Sequence, residues 1–215
     1  MLHVWRIEER EYARHEERRG RRHAFETLVP HRCALVVVDM VAFFVNENPY
    51  ARGIVPNINT LASALRAAGG CVAWVLPAPA PSATMREFYG DRIAARYQKS
   101  GGEGPLPGRL AAGLTTDPDD VFVEKTAASA FFPGTCDLQA QLDQRNVDTV
   151  MVAGTVADVC CESTARDATT LGYRTIMVAD ANAATRDHDL NATLHTVYRS
   201  FGDVRPTTEL VHLFG

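Results

Sequence analysis

Residues 150–168, VMVAGTVADVCCESTARDA, leave little freedom in how this chain can fold. A β-branched apolar run stops at Gly154, and within a few residues the pattern becomes that of a helix. A strand that turns straight into a helix is one half of a strand–helix–strand unit, whose next strand returns parallel to the first. The same turn delivers Cys160 and Cys161 into the expected first turn of the helix, with Asp158 as a plausible N-cap. A thiol in that place sits among unpaired backbone N–H groups and the positive end of the helix dipole, which favour thiolate over thiol. Such a sulfur is a nucleophile, and the same N–H groups can hold an oxyanion formed when it attacks a carbonyl.

Strand and helix patterns alternate through the rest of the chain. Strand 33–39 is followed by helix 57–68, closed by Gly69 and Gly70, and by strand 71–76, which runs into the PAPAPS stretch at 77–82. Residues 77–118 read as a long excursion with a helix near 84–97, and a loop of that length commonly covers a site. Strand 121–124, helix 136–145, strand 148–154, helix 159–171, strand 174–179, helix 187–201 and a short strand near 203–205 complete the order. Elements of these lengths in this order imply an α/β protein, a mainly parallel sheet with helices on both faces in three α/β/α layers.

Residues 1–29 are charge-dense with little apolar periodicity. They read as an arm that lies on the body or on a neighbouring subunit, or as a solvated, partly ordered tail, while residues 30–215 form a single domain. Formal net charge is −4, giving no reason to expect nucleic acid or an anionic membrane as partner. No apolar run approaches the roughly 20 residues of a membrane span, and the first residues lack the apolar core of a signal peptide, so a cytoplasmic location is the default expectation. The five cysteines are odd in number and without paired spacing, which argues against a disulfide framework. Cys33, Cys71 and Cys136 read as small buried hydrophobes.

Two further segments bear on the chemistry. RCALVVVDMVAFF (32–44) is a buried-strand pattern that ends in Asp39, and DDVFVEKTAASAFFPGT (119–135) is a strand with Lys125 at its end. An acid, an amine and a thiol therefore each follow the carboxyl end of an expected strand, the edge where open α/β sheets bind ligands. Taken singly, Asp39 could cap a turn and Lys125 could be a solvated charge.

Together these segments resemble the isochorismatase-like cysteine hydrolases, which include nicotinamidases, N-carbamoylsarcosine amidase and ureidoacrylate amidohydrolase. Local sequence does not choose between the adjacent thiols, since neighbours on a helix point about 100° apart. The resemblance does: GTVADVC aligns Cys160 with the family nucleophile. It implies a Rossmann-like isochorismatase fold and a triad in which Asp39 is the general base and Lys125 lowers the thiol pKa. Lys125, Ser129, Ala130 and Phe131 match the family's Lys-x-x-x-Ser-Ala-Phe pattern. It also implies a cis peptide at Thr155–Val156 and an oxyanion hole from the backbone N–H groups of Val156 and Cys160. Phe44 and Phe131 are the expected substrate-binding side chains, and Ser129 is expected to shape its loop.

The chain departs from the family at Val41, where a polar residue is common, and in having no histidine between His31 and His188. A nicotinamidase-type metal site is thereby disfavoured, and no metal or cofactor is expected. The resemblance implies hydrolysis of a small-molecule amide or ureide C–N bond by a homo-oligomer, dimer or tetramer. Trp5, Phe88 and Tyr89 are candidate contacts for such an assembly, and His188 and His195 read as surface or interface residues. Vinyl ether hydrolysis of the isochorismatase type and a non-catalytic or redox-sensing binding module using Cys160 and Cys161 are the alternatives.

Overall fold

The apolar runs of the sequence become six parallel strands: β1 (Cys33–Val38), β2 (Cys71–Pro77), β3 (Val121–Lys125), β4 (Thr149–Thr155), β5 (Arg174–Ala183) and β6 (Asp203–Arg205). Their order in the sheet is β3-β2-β1-β4-β5-β6. The computed structural model describes residues 1–79 and 83–215; the last part of the PAPAPS stretch, 80–82, lies outside the described residues.

Side chains alternate across each strand, and both faces are buried. Along β1, Ala34, Val36 and Val38 belong to one core, and Cys33, Leu35 and Val37 to the other. A strand apolar on both faces needs cover on both sides. α4 (Val55–Ala67) and α10 (Thr207–His212) supply one layer through Ile58, Leu61, Leu65 and Leu210. α7 (Leu138–Asp143), α8 (Glu162–Thr170) and α9 (Asp187–Ser200) supply the other through Leu138, Leu142, Ala165, Leu190, Leu194 and Val197. The three-layer α/β/α arrangement is thus the one the sequence implies.

Several boundaries differ from the sequence reading. The helix expected near 84–97 is two helices, α5 (Ala83–Tyr89) and α6 (Asp91–Gln98), parted at Gly90, whose φ of 75° no helix accommodates. β5 runs past the expected 179 because its register with β4 jumps from Val152↔Met177 to Gly154↔Asn182. Asn182 Nδ2 stitches that bulge by donating to Val152 O (2.8 Å) and Val178 O (2.7 Å). Short helices α2 (Ala42–Val45) and α3 (Pro49–Gly53), together with α10, carry too little periodicity to be read from sequence.

Gly154 is the residue on which the sheet centre depends. It faces Val38 with φ of 121°, and a Cβ there would lie 2.2 Å from Val38 O. Only glycine lets β4 pass β1 this closely just before both strands end.

The N-terminal segment lies on the body of its own chain, one of the three readings open for it, and is not a solvated tail. α1 (Glu9–Arg19) packs on α9, with Tyr12 and His15 edge-on to Tyr198 at 5.2 and 4.9 Å. Trp5 packs against the α9 side of the core. His195 pairs with Glu11 at 3.2 Å, so it serves the arm contact. Fully buried Asp203 accepts the backbone N–H groups of Ala24 (2.7 Å) and Phe25 (2.9 Å). Among the described residues no helix is long and apolar enough to cross a membrane.

Replacing Asp203 by Ala strands two backbone donors at the seam between arm and sheet. The expected loss is about 2–3 kcal/mol, the range for hydrogen bonds to a charged group, read from urea denaturation. Limited proteolysis of the variant should begin within residues 1–27, and an unchanged urea midpoint would show that the arm adds nothing to stability.

Candidate active site

The sheet order sets where a site can form. From β1 the chain builds outward through β2 and β3, and then returns to place β4, β5 and β6 on the other side. The strand order reverses between β1 and β4, and the crevice outside the carboxyl ends at such a point is where open α/β sheets hold ligands. Asp39 directly follows β1, Lys125 is the last residue of β3, and Cys160 lies just beyond β4.

Asp39 occupies the left-handed region at φ of 53°, uncommon for a non-glycine residue. Two backbone hydrogen bonds hold it there: Asp39 N–H donates to Val75 O (2.9 Å), and Asp39 O accepts from Val41 N–H (2.8 Å). The resulting turn aims the carboxylate under the end of β3. Lys125 reaches it with Nζ 2.9 Å from Oδ2, and both side chains are nearly inaccessible, at 3% and 2% exposure. The Lys125 ammonium also donates to Ala127 O (3.1 Å) and to Cys160 Sγ (3.6 Å). An ammonium has three protons, and here each has an acceptor. Asp39 Oδ1, by contrast, is buried without a hydrogen-bond partner among the described residues.

Protonation follows from this geometry. Burial raises Asp39 above the usual carboxylate range, only partly offset by Lys125 and the Cys160 thiol. Burial works against the Lys125 ammonium too, but Asp39 and Cys160 overcome it and its pKa lies above the ordinary lysine value. The Cys160 thiol is pushed up to about 12, by burial first and then by the Asp39 carboxylate, with Lys125 pulling the other way. This corrects the expectation of a resting thiolate at a helix start. In a water-poor site the carboxylate already supplies the anion that Lys125 neutralises, and a second anion beside it is disfavoured. The resting trio is carboxylate, ammonium and thiol.

The turn carrying the thiol also departs from expectation. Ala157–Cys161 forms a π-helical turn ahead of α8, with Cys161 N–H reaching back to Val156 O at 3.3 Å. It begins at Ala157, and the helix gains no side-chain cap, so Asp158 is not its N-cap. The two thiols point apart, as adjacent residues of a helix do: Cys160 faces the cavity while Cys161 is fully buried in the core. All five cysteines are free. The Thr155–Val156 peptide is cis.

A cavity of about 360 Å³ opens above the trio, lined by Asp39, Lys125, Cys160, Val156 and Phe44. Its other wall comes from α5–α6 and the residues after them, notably Tyr89, Tyr97, Gln98 and Ser100. Sequence placed the site's cover in this excursion but could not say which side chains face inward, because Gly90 resets the helical phase. Phe131 does not line the cavity, which corrects its assignment to substrate binding. It is 4% exposed and packs in the core against Tyr173, 5.3 Å between ring centroids. Ser129 Oγ accepts Phe131 N–H at 3.0 Å and shapes the loop that buries it.

Comparison with known proteins supplies an independent view. The family model for the isochorismatase domain matches residues 33–209. The uncharacterized isochorismatase family protein YwoC of Bacillus subtilis is 31% identical over 183 residues, 84% of this chain and 93% of that protein. Ureidoacrylate amidohydrolase RutB of Rhizobium rhizogenes is 30% identical over 205 residues, covering 82% of this chain and 80% of that one. The crystal structure of a cysteine hydrolase from Pseudomonas syringae pv. phaseolicola 1448A superimposes with a TM-score of 0.79 at 29% identity, over 89% of this chain and 96% of the other.

A thiol held protonated should react with iodoacetamide at a rate that keeps rising with pH beyond about 9, since the plateau comes only when thiolate is fully formed. Peptide mass spectrometry of Cys160 reads this directly, and a plateau near neutral pH would mean a resting thiolate. In Lys125→Ala, alkylation at neutral pH should slow about tenfold or more, because a stabilising cation beside the thiolate is gone. The same variant leaves Asp39 buried without its counter-ion and should lose about 3–5 kcal/mol of stability in chemical denaturation.

Proposed function

The chain belongs to the isochorismatase family, a family of hydrolases, and on that premise we propose that it is a metal-independent cysteine amidohydrolase acting on a small amide or ureide C–N bond. The observation that carries the reading is the division of the Lys125 protons between Asp39, Cys160 and Ala127, which ties base, cation and nucleophile into one buried unit.

In this mechanism the unpartnered Oδ1 of Asp39 takes the Cys160 proton as Sγ attacks the substrate carbonyl. The elevated pKa of Asp39 suits it to accept that proton, and Lys125 stabilises the sulfur anion as it forms. The backbone N–H groups of Val156 and Cys160 are assigned to the tetrahedral oxyanion. Asp39 then returns the proton to the departing nitrogen, which leaves as amine or ammonia, and a thioester stays on Cys160. Water, deprotonated by Asp39, hydrolyses the thioester and restores the thiol. No step calls on a metal, and among the described residues no group of three or more His, Cys, Asp or Glu side chains is placed to hold one.

Family membership sets aside the non-catalytic reading. Vinyl ether hydrolysis stays as a second reading on one observation: a buried carboxyl with a raised pKa is also a competent proton donor. Pyruvate release from isochorismate by the Cys160→Ala variant separates the two.

Incubation with a panel of small amides and ureides, quenched for intact-mass analysis, should reveal an acyl adduct on Cys160. Cys160→Ala should lose activity by on the order of a thousandfold or more, as when a nucleophile is removed elsewhere. Activity needs the Asp39 carboxylate, so kcat/KM should fall as pH drops through a limb above the ordinary aspartate range. It should not fall on the alkaline side near pH 9, because the thiol stays protonated to about 12. Full activity in Cys160→Ala on an amide would exclude the thioester route.

We also propose that the chain assembles as a homodimer or tetramer. Phe88 and Phe132 are 76% and 55% exposed, and aromatic rings are enriched in the cores of interfaces. Light scattering across a concentration series should give at least twice the chain mass, and a monomer throughout would refute the assembly.

A further inference from the structure

The catalytic cavity has a neighbour with which it shares part of its lining. Phe44, Tyr97 and Val156 are shared with a second chamber of about 390 Å³, which contains none of Asp39, Lys125 or Cys160. Its character follows from which of its groups are free to meet a ligand. Asn48 is spent: its Nδ2 donates to Ala184 O (3.0 Å), and its Oδ1 accepts Tyr50 N–H (2.9 Å). The Thr155 hydroxyl donates to Ala183 O (3.2 Å). The charged pair of the lining, Arg96 and Glu47, neutralises itself at 2.8 Å. What is left is the Thr185 side chain, the aliphatic Pro49, Ile93 and Val156, and four rings, Phe43, Phe44, Tyr50 and Tyr97, which make up most of the wall. Phe43 stands edge-on to Phe44 at 4.9 Å and tilted to Tyr97 at 5.9 Å.

One of these rings is locked from behind by the N-terminal segment. His3 stacks on Tyr50 with 3.6 Å between centroids and 10° between planes. The His3 side chain is 2% exposed, and its Nδ1 lies 2.6 Å from Asp187 Oδ1. Ala184 N–H donates to its Nε2 at 3.1 Å, so Nε2 carries the lone pair and Nδ1 the proton. His3, in the segment before α1, thus sits between Tyr50 of α3 and Asp187 at the start of α9 and backs the Tyr50 ring. A wall made of rings that cannot turn away suits a flat π-system, which gains from stacking and from water exclusion without a charge partner.

We propose that this second chamber is a binding subsite for a flat, uncharged, π-bearing part of the substrate, and that His3 is a positioning residue that holds Tyr50 as its wall. The inference rests on the reading of Cys160 as nucleophile and extends it to substrate class. The two chambers share Phe44, Tyr97 and Val156, and in this proposal a ligand whose carbonyl meets Cys160 extends its flat portion past Phe44 and Tyr97.

The test compares alkylation of Cys160 by N-phenyl-2-iodoacetamide and by iodoacetamide. In both, a bond forms between Sγ and the methylene carbon, the C–I bond breaks, iodide leaves, and the thiol proton passes to Asp39. Peptide mass spectrometry gives the two rate constants at Cys160, and their ratio is normalised to the same ratio for glutathione. In the unmodified protein the normalised ratio should exceed one by about tenfold, the value of one good aromatic contact. Tyr50→Ala, which removes a ring, and Ile93→Trp, which fills the chamber, should each bring the ratio back toward one. His3→Ala should lower it as well, a change in selectivity that a purely stabilising residue would not produce. A ratio near one in the unmodified protein, or one unmoved by Tyr50→Ala and Ile93→Trp, overturns the subsite. A ratio that collapses as protein concentration rises makes a second copy of the chain the occupant and also overturns it. Failure of both reagents to label Cys160 counts instead against the nucleophile and takes the subsite with it.

Discussion

A lysine and an aspartate, both withdrawn from water, meet at 2.9 Å at the carboxyl edge of the sheet, and the rest of the structure is arranged around keeping them together. Desolvating two charges costs several kcal/mol each and is recovered only with close contact and full hydrogen bonding. Lys125 meets that condition, because each of its three protons has an acceptor. Asp39 meets it on one oxygen only, and the oxygen left over faces the chemistry. A pair of this kind is tolerated where function requires a poised base.

The pair also explains why the nucleophile rests as a thiol. A helix start alone would favour thiolate, but that argument omits the second anion in the site. With Asp39 ionised and burial already unfavourable to charge, the sulfur keeps its proton until a carbonyl is presented to accept its electrons. The trio is then electrically neutral at rest and during attack, since the proton moves from Sγ to Asp39 as the sulfur becomes anionic. Such a site holds little standing reactivity toward stray electrophiles.

Elements far from the trio shape what can reach it. The α5–α6 excursion walls the cavity, and its base is tied to β1 where Ala111 N–H donates to Met40 O at 2.9 Å. The N-terminal segment contributes no reacting group, yet through His3 and Tyr50 it reaches the wall of the adjoining chamber. The chemistry is thus built at the ends of buried strands, while the shape of the site comes from segments that lie outside the sheet.

Much of this was legible in the residues themselves. Runs such as ALVVV and TVMVA can be buried only between two layers, and their alternation with helical periods determined a parallel α/β sheet. The positions of Asp39, Lys125 and Cys160 at strand ends followed from the same pattern, since a strand of known phase has a known exit. What tertiary structure alone decided depends on neighbours distant in sequence. The π-helical turn that carries Cys160 and Cys161 rests on two hydrogen bonds, Cys161 N–H to Val156 O and Glu162 N–H to Ala157 O, with no compositional signature. The protonation of the trio depends on burial and on partners far along the chain, Lys125 and Cys160 for Asp39. Phe131 fits a motif but turns into the core because Ser129 and Tyr173 direct it there. The arm carries too little apolar periodicity to announce its docking; its place is set by contacts with residues far along the chain, rings packed on Tyr198 and polar contacts of His3 with Ala184 and of Asp203 with Ala24 and Phe25. Periodicity is a local property and can be read along the chain, whereas desolvation, hydrogen-bond completion and the direction of one side chain are properties of the assembled interior.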